Sequence, residues 1–281
     1  MKKIYKYSVN ANHDDPEGII RNFLDKRKIK YSCGLLLVFE ISDTSPYFAD
    51  VLSFMNDRTE FKPRVRIEYS KKELEEAKYL SIWLRRYSGY PQPEEAIDIK
   101  NSYINYTFDT SDFCTKCGSG LIQNDSFYLK KTFNIDKIRF GGVYWEYDTF
   151  FITNELRDLF IKEKFSGIEF FPVKSIKTKQ VVNNIVQLKI NSIFPSKLKY
   201  EIEKVINCKQ CNQTRDVVKT NSELSAPKEI INQLDKDFYL SQEFHGDGLL
   251  CCKSVLISNR VYKFFVKEKI KNICAEPIQF I

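Results

Sequence analysis

Four cysteines of the chain stand in two C-x-x-C pairs, CTKCG (Cys114 to Gly118) and CKQCN (Cys208 to Asn212). Two thiolates spaced in this way in a tight turn reach one metal ion. Two such pairs complete a closed tetrahedral shell, which suits structural Zn2+ and leaves no open position for a reacting group. The residue after the second cysteine needs positive φ, which glycine adopts without steric cost and asparagine tolerates next best. Gly118 and Asn212 fill those two positions. The predicted metal ligands are therefore Cys114, Cys117, Cys208 and Cys211, with Lys116, Lys209 and Arg215 near enough in sequence to offset their negative charge.

The same pairs admit other readings. A thioredoxin-like redox dithiol should open a helix after a strand, whereas Gly118-Ser119-Gly120 follows the first pair at once. A disulfide framework does not suit a reducing compartment. A former zinc site that has lost its metal is the third alternative. The other cysteines, Cys33, Cys251, Cys252 and Cys274, fall in apolar or strand-like surroundings and read as small buried thiols.

Little else in the chain could do chemistry. Of the two histidines, His13 sits at a helix entry and His245 lies in FHGDGLL. His245, Asp247 and Cys251 can be drawn as a catalytic cluster, but Gly246, Asp247 and Gly248 are what a chain reversal before a strand requires. There is no phosphate-binding glycine loop, no H-E-x-x-H and no G-x-S-x-G. No catalytic or cofactor-binding residue is predicted, and the chain reads as a non-enzyme. Trp83 and Trp145 are assigned to the core.

The elements that must position the cysteines begin with an α/β stretch. Strands are predicted at Ile4 to Val9, Leu35 to Ile41 and Arg64 to Tyr69, with helices at Pro16 to Lys26 and Ala49 to Met55. Ser70 to Glu73 is a capping box opening a helix whose stripe is Leu74, Ala77, Ser81 and Leu84. The run Tyr87 to Pro93 breaks it, and a domain boundary is placed near residue 97.

Beyond that point the sequence repeats. At a fixed offset of 105 residues, FFITNELRDLFIKEKFSGIEFFPV (Phe150 to Val173) aligns with VLISNRVYKFFVKEKIKNICAEPI (Val255 to Ile278). The N-caps match (Thr153 and Ser258), as do the prolines (Pro172 and Pro277). Gly167 and Asn272 are both suited to a left-handed helix stop. Each copy reads as strand, capped helix and a short strand ending in proline. Alternating Ile104, Tyr106 and Phe108 before Cys114, and Leu198, Tyr200 and Ile202 before Cys208, read as a strand leading into each cysteine pair. The expected fold is α+β: a small N-terminal α/β domain (1–97), then a duplicated strand–CxxC–strand–helix–strand unit (98–281, halves about 98–182 and 183–281) joined by the four-cysteine zinc site.

The 281 residues, 43% hydrophobic and 29% charged, suffice for one or two cores without disulfides. The formal charge of +7 comes from 44 Lys+Arg against 37 Asp+Glu spread along the whole chain. That even spread argues against a nucleic-acid partner, which a clustered basic face would mark. No apolar run follows the N-terminal lysines as in a secretory signal, and Cys33 to Phe39 is too short to cross a bilayer. A soluble, cytoplasmic protein is expected.

The two cysteine motifs, together with FSGIEFFPV (Phe165 to Val173) closing the first copy, resemble the bacterial double-CXXCG motif family over about residues 98–281. Asn212 departs from the family's second glycine, and residues 1–97 lie outside the resemblance. The resemblance implies a cytosolic, non-enzymatic immunity protein that binds and neutralises one cognate protein toxin. The competing expectation is a zinc-ribbon nucleic-acid-binding or adaptor protein.

Overall fold

The computed structural model describes residues 1–58, 62–95, 99–130, 139–219, 222–246 and 251–281. The chain forms two compact units, Met1–Glu73 and Leu74–Ile281. The boundary expected near residue 97 lies outside the described residues. Among those residues no helix is long and apolar enough to cross a membrane.

The first unit is a four-stranded antiparallel sheet of β1 (Lys2–Asn10), β2 (Tyr31–Cys33), β3 (Leu36–Ser42) and β4 (Arg64–Glu68), in the order β2-β3-β1-β4. Two helices, α1 (Ile19–Lys26) and α2 (Phe48–Asn56), cover one face. The period-2 alternation of Tyr7 and Val9 with Leu37, Phe39 and Ile41 delivers one apolar face to Ile20, Leu24, Val51 and Met55. Helix α1 starts at Ile19, later than the sequence suggests. Gly18 takes φ 69°, and the Asp15 carboxylate accepts the Ile20 N–H at 2.7 Å, which fixes the entry.

The capping box holds: the Glu73 N–H donates to Ser70 Oγ at 3.2 Å and the Ser70 N–H to Glu73 Oε2 at 2.7 Å. The helix it opens, α3 (Lys71–Glu76), is short, and the expected stripe through Ser81 and Leu84 is instead β5 (Tyr79–Leu84). A strand buried on both faces reads as a continuous apolar run, and such a run matches a helical stripe by accident. In β5 every residue but Trp83 is buried.

In the second unit, β5 is the middle strand of a sheet ordered β15-β19-β5-β18-β16, formed with β15 (Leu224–Ala226), β16 (Phe238–Leu240), β18 (Val255–Ser258) and β19 (Ile273–Phe280). A second five-stranded sheet, β8-β11-β12-β10-β9, comprises β8 (Tyr128–Leu129), β9 (Phe140–Gly141), β10 (Phe150–Thr153), β11 (Ile168–Ser175) and β12 (Val181–Ile190). Helix α5 (Asn154–Lys162) joins β10 to β11, and α6 (Asn259–Lys267) joins β18 to β19. Thr153 Oγ1 accepts the Leu156 N–H and Ser258 Oγ accepts the Val261 N–H, so the predicted N-caps stand in both copies. The left-handed stops fall on Lys164 (φ 55°) and Lys269 (φ 56°) rather than on both Gly167 and Asn272. Of that pair only Gly167 has positive φ; Asn272 instead bonds through its side chain to the backbone of Arg86. Pro172 and Pro277 lie inside β11 and β19 instead of ending them.

The main core gathers one face of each large sheet around the two helices. Phe150, Ile152 and Leu188 meet Leu80, Ile82 and Ile257, and Phe160 of α5 packs edge-on to Phe264 of α6 at 5.5 Å. Arginines tie the helix ends together. Arg260 on α6 donates to the carbonyl oxygens of Glu163 and Lys164 at the end of α5, while Arg139 donates to the Glu268 carbonyl at the end of α6. Both place a cation where helix carbonyls lack partners. Asp237 sits at their centre, accepting from Ser166 N and Oγ, Ser258 Oγ and Arg260.

Burial alone would raise the Asp237 pKa, but the bonds from Arg260, Ser258 and Ser166 outweigh it and hold the carboxyl below its ordinary 3.8. A carboxyl lowered on folding stabilises above its unfolded value and loses that stabilisation as pH falls through the folded one. Asp237→Ala should cost about 3 kcal/mol at neutral pH, because it strands several buried donors. Urea melts should show the gap between wild type and variant narrowing below roughly pH 4; a gap independent of pH would refute this role.

Candidate metal centre

Each cysteine pair sits on a turn with the same hydrogen bonds. In the first, the Gly118 N–H donates to the Cys114 carbonyl at 2.8 Å and the Cys114 N–H to the Ser119 carbonyl at 2.8 Å. In the second, the Asn212 N–H donates to the Cys208 carbonyl at 2.9 Å and the Cys208 N–H to the Gln213 carbonyl at 3.0 Å. Gly118 has φ 77° and Asn212 φ 60°, as the motif spacing predicts. Asparagine therefore meets the backbone requirement that glycine meets in the other turn.

The supports of the two turns differ from expectation. Before Cys114, Ile104 and Tyr106 lie in the short helix α4 (Tyr103–Thr107), capped by Ser102, and only Phe108–Asp109 is a strand, β6, paired with β7 (Ile122–Gln123). Alternation over so few residues cannot distinguish one helical turn from a strand. The second turn is the tip of a hairpin, β13 (Ile202–Asn207) and β14 (Thr214–Val218), and β14 continues to β17 (Phe244–His245).

The turns bring Cys114, Cys117, Cys208 and Cys211 together, with all four sulfurs within 4.8 Å of one another. Cys114 Sγ lies 3.6 Å from Cys208 Sγ, and Cys117 Sγ lies 3.4 Å from Cys211 Sγ. These separations are too long for disulfides, whose sulfurs lie about 2.05 Å apart, and all four thiols are free. A tetrahedral ion with metal–sulfur bonds of ~2.3 Å sets its sulfurs about 3.8 Å apart, so the cluster is compatible with a single metal.

Protonation differs across the cluster. The Ser119 hydroxyl and the Gln213 N–H hold the Cys211 thiol down at about 6, and the N–H groups of Cys211 and Gln210 lower that of Cys208. Burial pushes Cys114 up to about 11. Ser119, which the motif reading passed over, bridges Cys117 Sγ at 3.1 Å and Cys211 Sγ at 3.4 Å. Its only trace in the sequence is its place directly after Gly118. Lys116 and Lys209 are exposed beside the turns, and Arg215 is buried on β14.

No protein-family model matches the chain, and a search of curated proteins returns no match. What the centre can do is set by its geometry.

The other candidate residues are placed differently. His245 lies in β17, paired with Asp216 and bridged to Cys252, rather than in a turn; Asp247 and Gly248 lie outside the described residues. Cys33 is exposed, and Cys251, Cys252 and Cys274 are half-buried rather than core thiols. Trp145 packs partly buried beside Tyr103, but Trp83 is 42% exposed. A cavity of about 280 Å³ beside the first cysteine turn is lined by Glu146, Asp148, Cys251 and Cys252. Burial, reinforced by the Asp148 charge, pushes Glu146 up to about 8, and burial pushes Cys252 up to about 12. A thiol so raised is protonated at neutral pH and a poor nucleophile.

The backbone of the turns is the testable part. A Cβ on Gly120, which has φ 90°, would lie 2.0 Å from the Asp112 carbonyl oxygen. Gly120→Ala should destabilise by about 2 kcal/mol or more. Asn212→Gly, which keeps the φ, should stay within ~0.5 kcal/mol of wild type. Chemical denaturation compares the two directly, and equal losses would contradict the turn geometry.

Proposed function

We propose that the four cysteines hold one structural zinc ion and that the chain is a non-enzymatic binding protein of the immunity type, neutralising a cognate protein toxin in the cytoplasm. The observation that carries this reading is the convergence of four sulfurs from two turns 94 residues apart. A shell of four thiolates saturates a tetrahedral ion, so the metal stabilises and cannot act on a substrate. The protonated thiols beside it favour the same conclusion. The toxin-binding role rests on the resemblance to the double-CXXCG motif family. On this reading the strand–helix–strand units 150–175 and 255–280 descend from a duplication, supported by their common offset, their matched N-caps and left-handed stops, and the packing of α5 on α6.

Zinc joins β6 and β7 to the β13–β14 hairpin, and in peptide systems such sites contribute about 10–16 kcal/mol. Protein purified without chelators should contain about one zinc per chain. Cys114→Ser and Cys208→Ser should each lose the metal and at least ~3 kcal/mol of stability, by similar amounts, since each breaks the same shell. Metal-free wild-type protein, or variants of unchanged stability, would remove the zinc. For the binding role, a toxin-domain gene is expected immediately upstream, and co-expression of this chain should relieve that toxin's effect on growth; failure of the intact, zinc-loaded chain to protect would remove the immunity reading.

A further inference from the structure

The sheet that carries β5 has two unlike faces. Tyr79, Leu256 and Ile278 share one face with Leu224 and Tyr239, and this half is covered by Phe194, Leu198 and Ile230. Period-2 alternation puts Ser81 and Trp83 of β5, with Cys274 and Glu276 of β19, further along the same face. There the covering ends and a cavity of about 290 Å³ opens.

Its walls are aromatic. Trp83, Tyr87, Tyr147, Tyr200 and His245 line it together with Glu276. Two of the tyrosine hydroxyls face other partners: Tyr200 donates to Asp216 Oδ2 at 2.8 Å and Tyr87 to the Tyr147 carbonyl at 3.5 Å. Tyr87 and Tyr147 meet edge to face at 5.0 Å, and Tyr200 and His245 at 5.3 Å. Both His245 ring nitrogens are buried without a hydrogen bond among the described residues. The Glu276 carboxyl, half-buried, has no ion pair among them. Burial, with no compensating charge, pushes Glu276 up to about 7. Buried polar groups are ordinarily satisfied, so the orphaned imidazole, with a carboxyl lining the same aromatic cavity, points to a group supplied from outside. Lys253 also borders the cavity, but its ammonium lies over the Phe244 ring at 4.9 Å, and Phe244 does not line it.

We infer that this cavity receives an arginine side chain projecting from a partner protein, with Glu276 taking the guanidinium and the aromatic rings stacking on it. A guanidinium matches a carboxylate with two parallel N–H donors and stacks on aromatic faces, as an ammonium does not. The neutral imidazole offers one further acceptor. The volume falls at the small end of ligand sites, which span ~300–1,000 Å³, and suits one side chain rather than a cofactor. Trp83 and Tyr147, 42% and 45% exposed, extend the apolar surface beyond the mouth, so the occupant continues over the rim as a protein surface does. Arginine and aromatic residues are the usual anchors of such contacts. The chain's net charge of +7 opposes a broadly basic partner, so the arginine stands on a neutral or acidic surface. This inference rests on the reading of the chain as a binding protein, but its test uses neither toxin nor metal.

The two tryptophan indole N–H signals of the full-length protein, assigned with Trp83→Phe, report the site by NMR. N-acetylarginine amide should shift the Trp83 signal saturably, and N-acetylcitrulline amide, its uncharged isostere, should not. Glu276→Gln should weaken the arginine probe about tenfold, the loss of one ~1.4 kcal/mol contact, while its thermal midpoint stays equal to wild type or rises. Citrulline binding as well as arginine, no shift at Trp83, unchanged affinity in Glu276→Gln, or a lowered midpoint would each overturn the proposal. Agmatine, the free cation without a peptide backbone, should bind no more tightly than the arginine probe; tighter binding would assign the cavity to a small molecule instead. Any of these failures leaves the zinc content and toxin protection untouched.

Discussion

Four thiols with sulfurs within 4.8 Å of one another, two cross-turn pairs at 3.4 and 3.6 Å, cannot all ionise without a cation between them. That constraint organises the second unit. The first turn is anchored by Phe108, Phe113 and Leu121 against the Tyr103 and Phe127 cluster, whereas the hairpin carries little apolar mass: Ile202 and Val205 are exposed, and β13 has no buried residue. Hydrophobic burial therefore does little to hold the hairpin, and a metal shell is the interaction that would. Elsewhere the unit is held conventionally, by the two large sheets closing on α5 and α6 and by the arginines at the helix ends.

The same division bears on the proposed function. A shell of four thiolates around one ion would leave no open position for a substrate, and burial raises the pKa of Glu146 and Cys252 beside it. The orphaned imidazole of His245 lines a different cavity, at the end of β5 and β19, where an apolar sheet surface is interrupted by Glu276. At the equivalent place in the first copy stands Phe171, whose ring already holds the Lys189 ammonium at 4.5 Å.

The cysteine turns were legible in the sequence because their chemistry is local: two thiols, a residue that accepts positive φ, and hydrogen bonds spanning a few residues. The helices α5 and α6 were legible through the N-caps Thr153 and Ser258 and the alignment of the two segments at an offset of 105. What the sequence hid is non-local. Tyr79–Leu84 reads as a helix because a strand buried on both sides has no alternation to display. Ile104–Phe108 reads as a strand because one helical turn is too short to display its own period. Trp83 reads as core because its composition is apolar; its exposure follows from where the cover of Phe194 and Leu198 ends. Ser119 and Glu276 acquire their roles only from residues brought to them by the fold.

X-ray absorption at the zinc edge of the natively purified protein tests the central claim most directly. Four sulfur neighbours at ~2.3 Å, with no nitrogen or oxygen in the shell, are predicted. A shell containing oxygen or nitrogen, or no zinc signal with iron in its place, would contradict it.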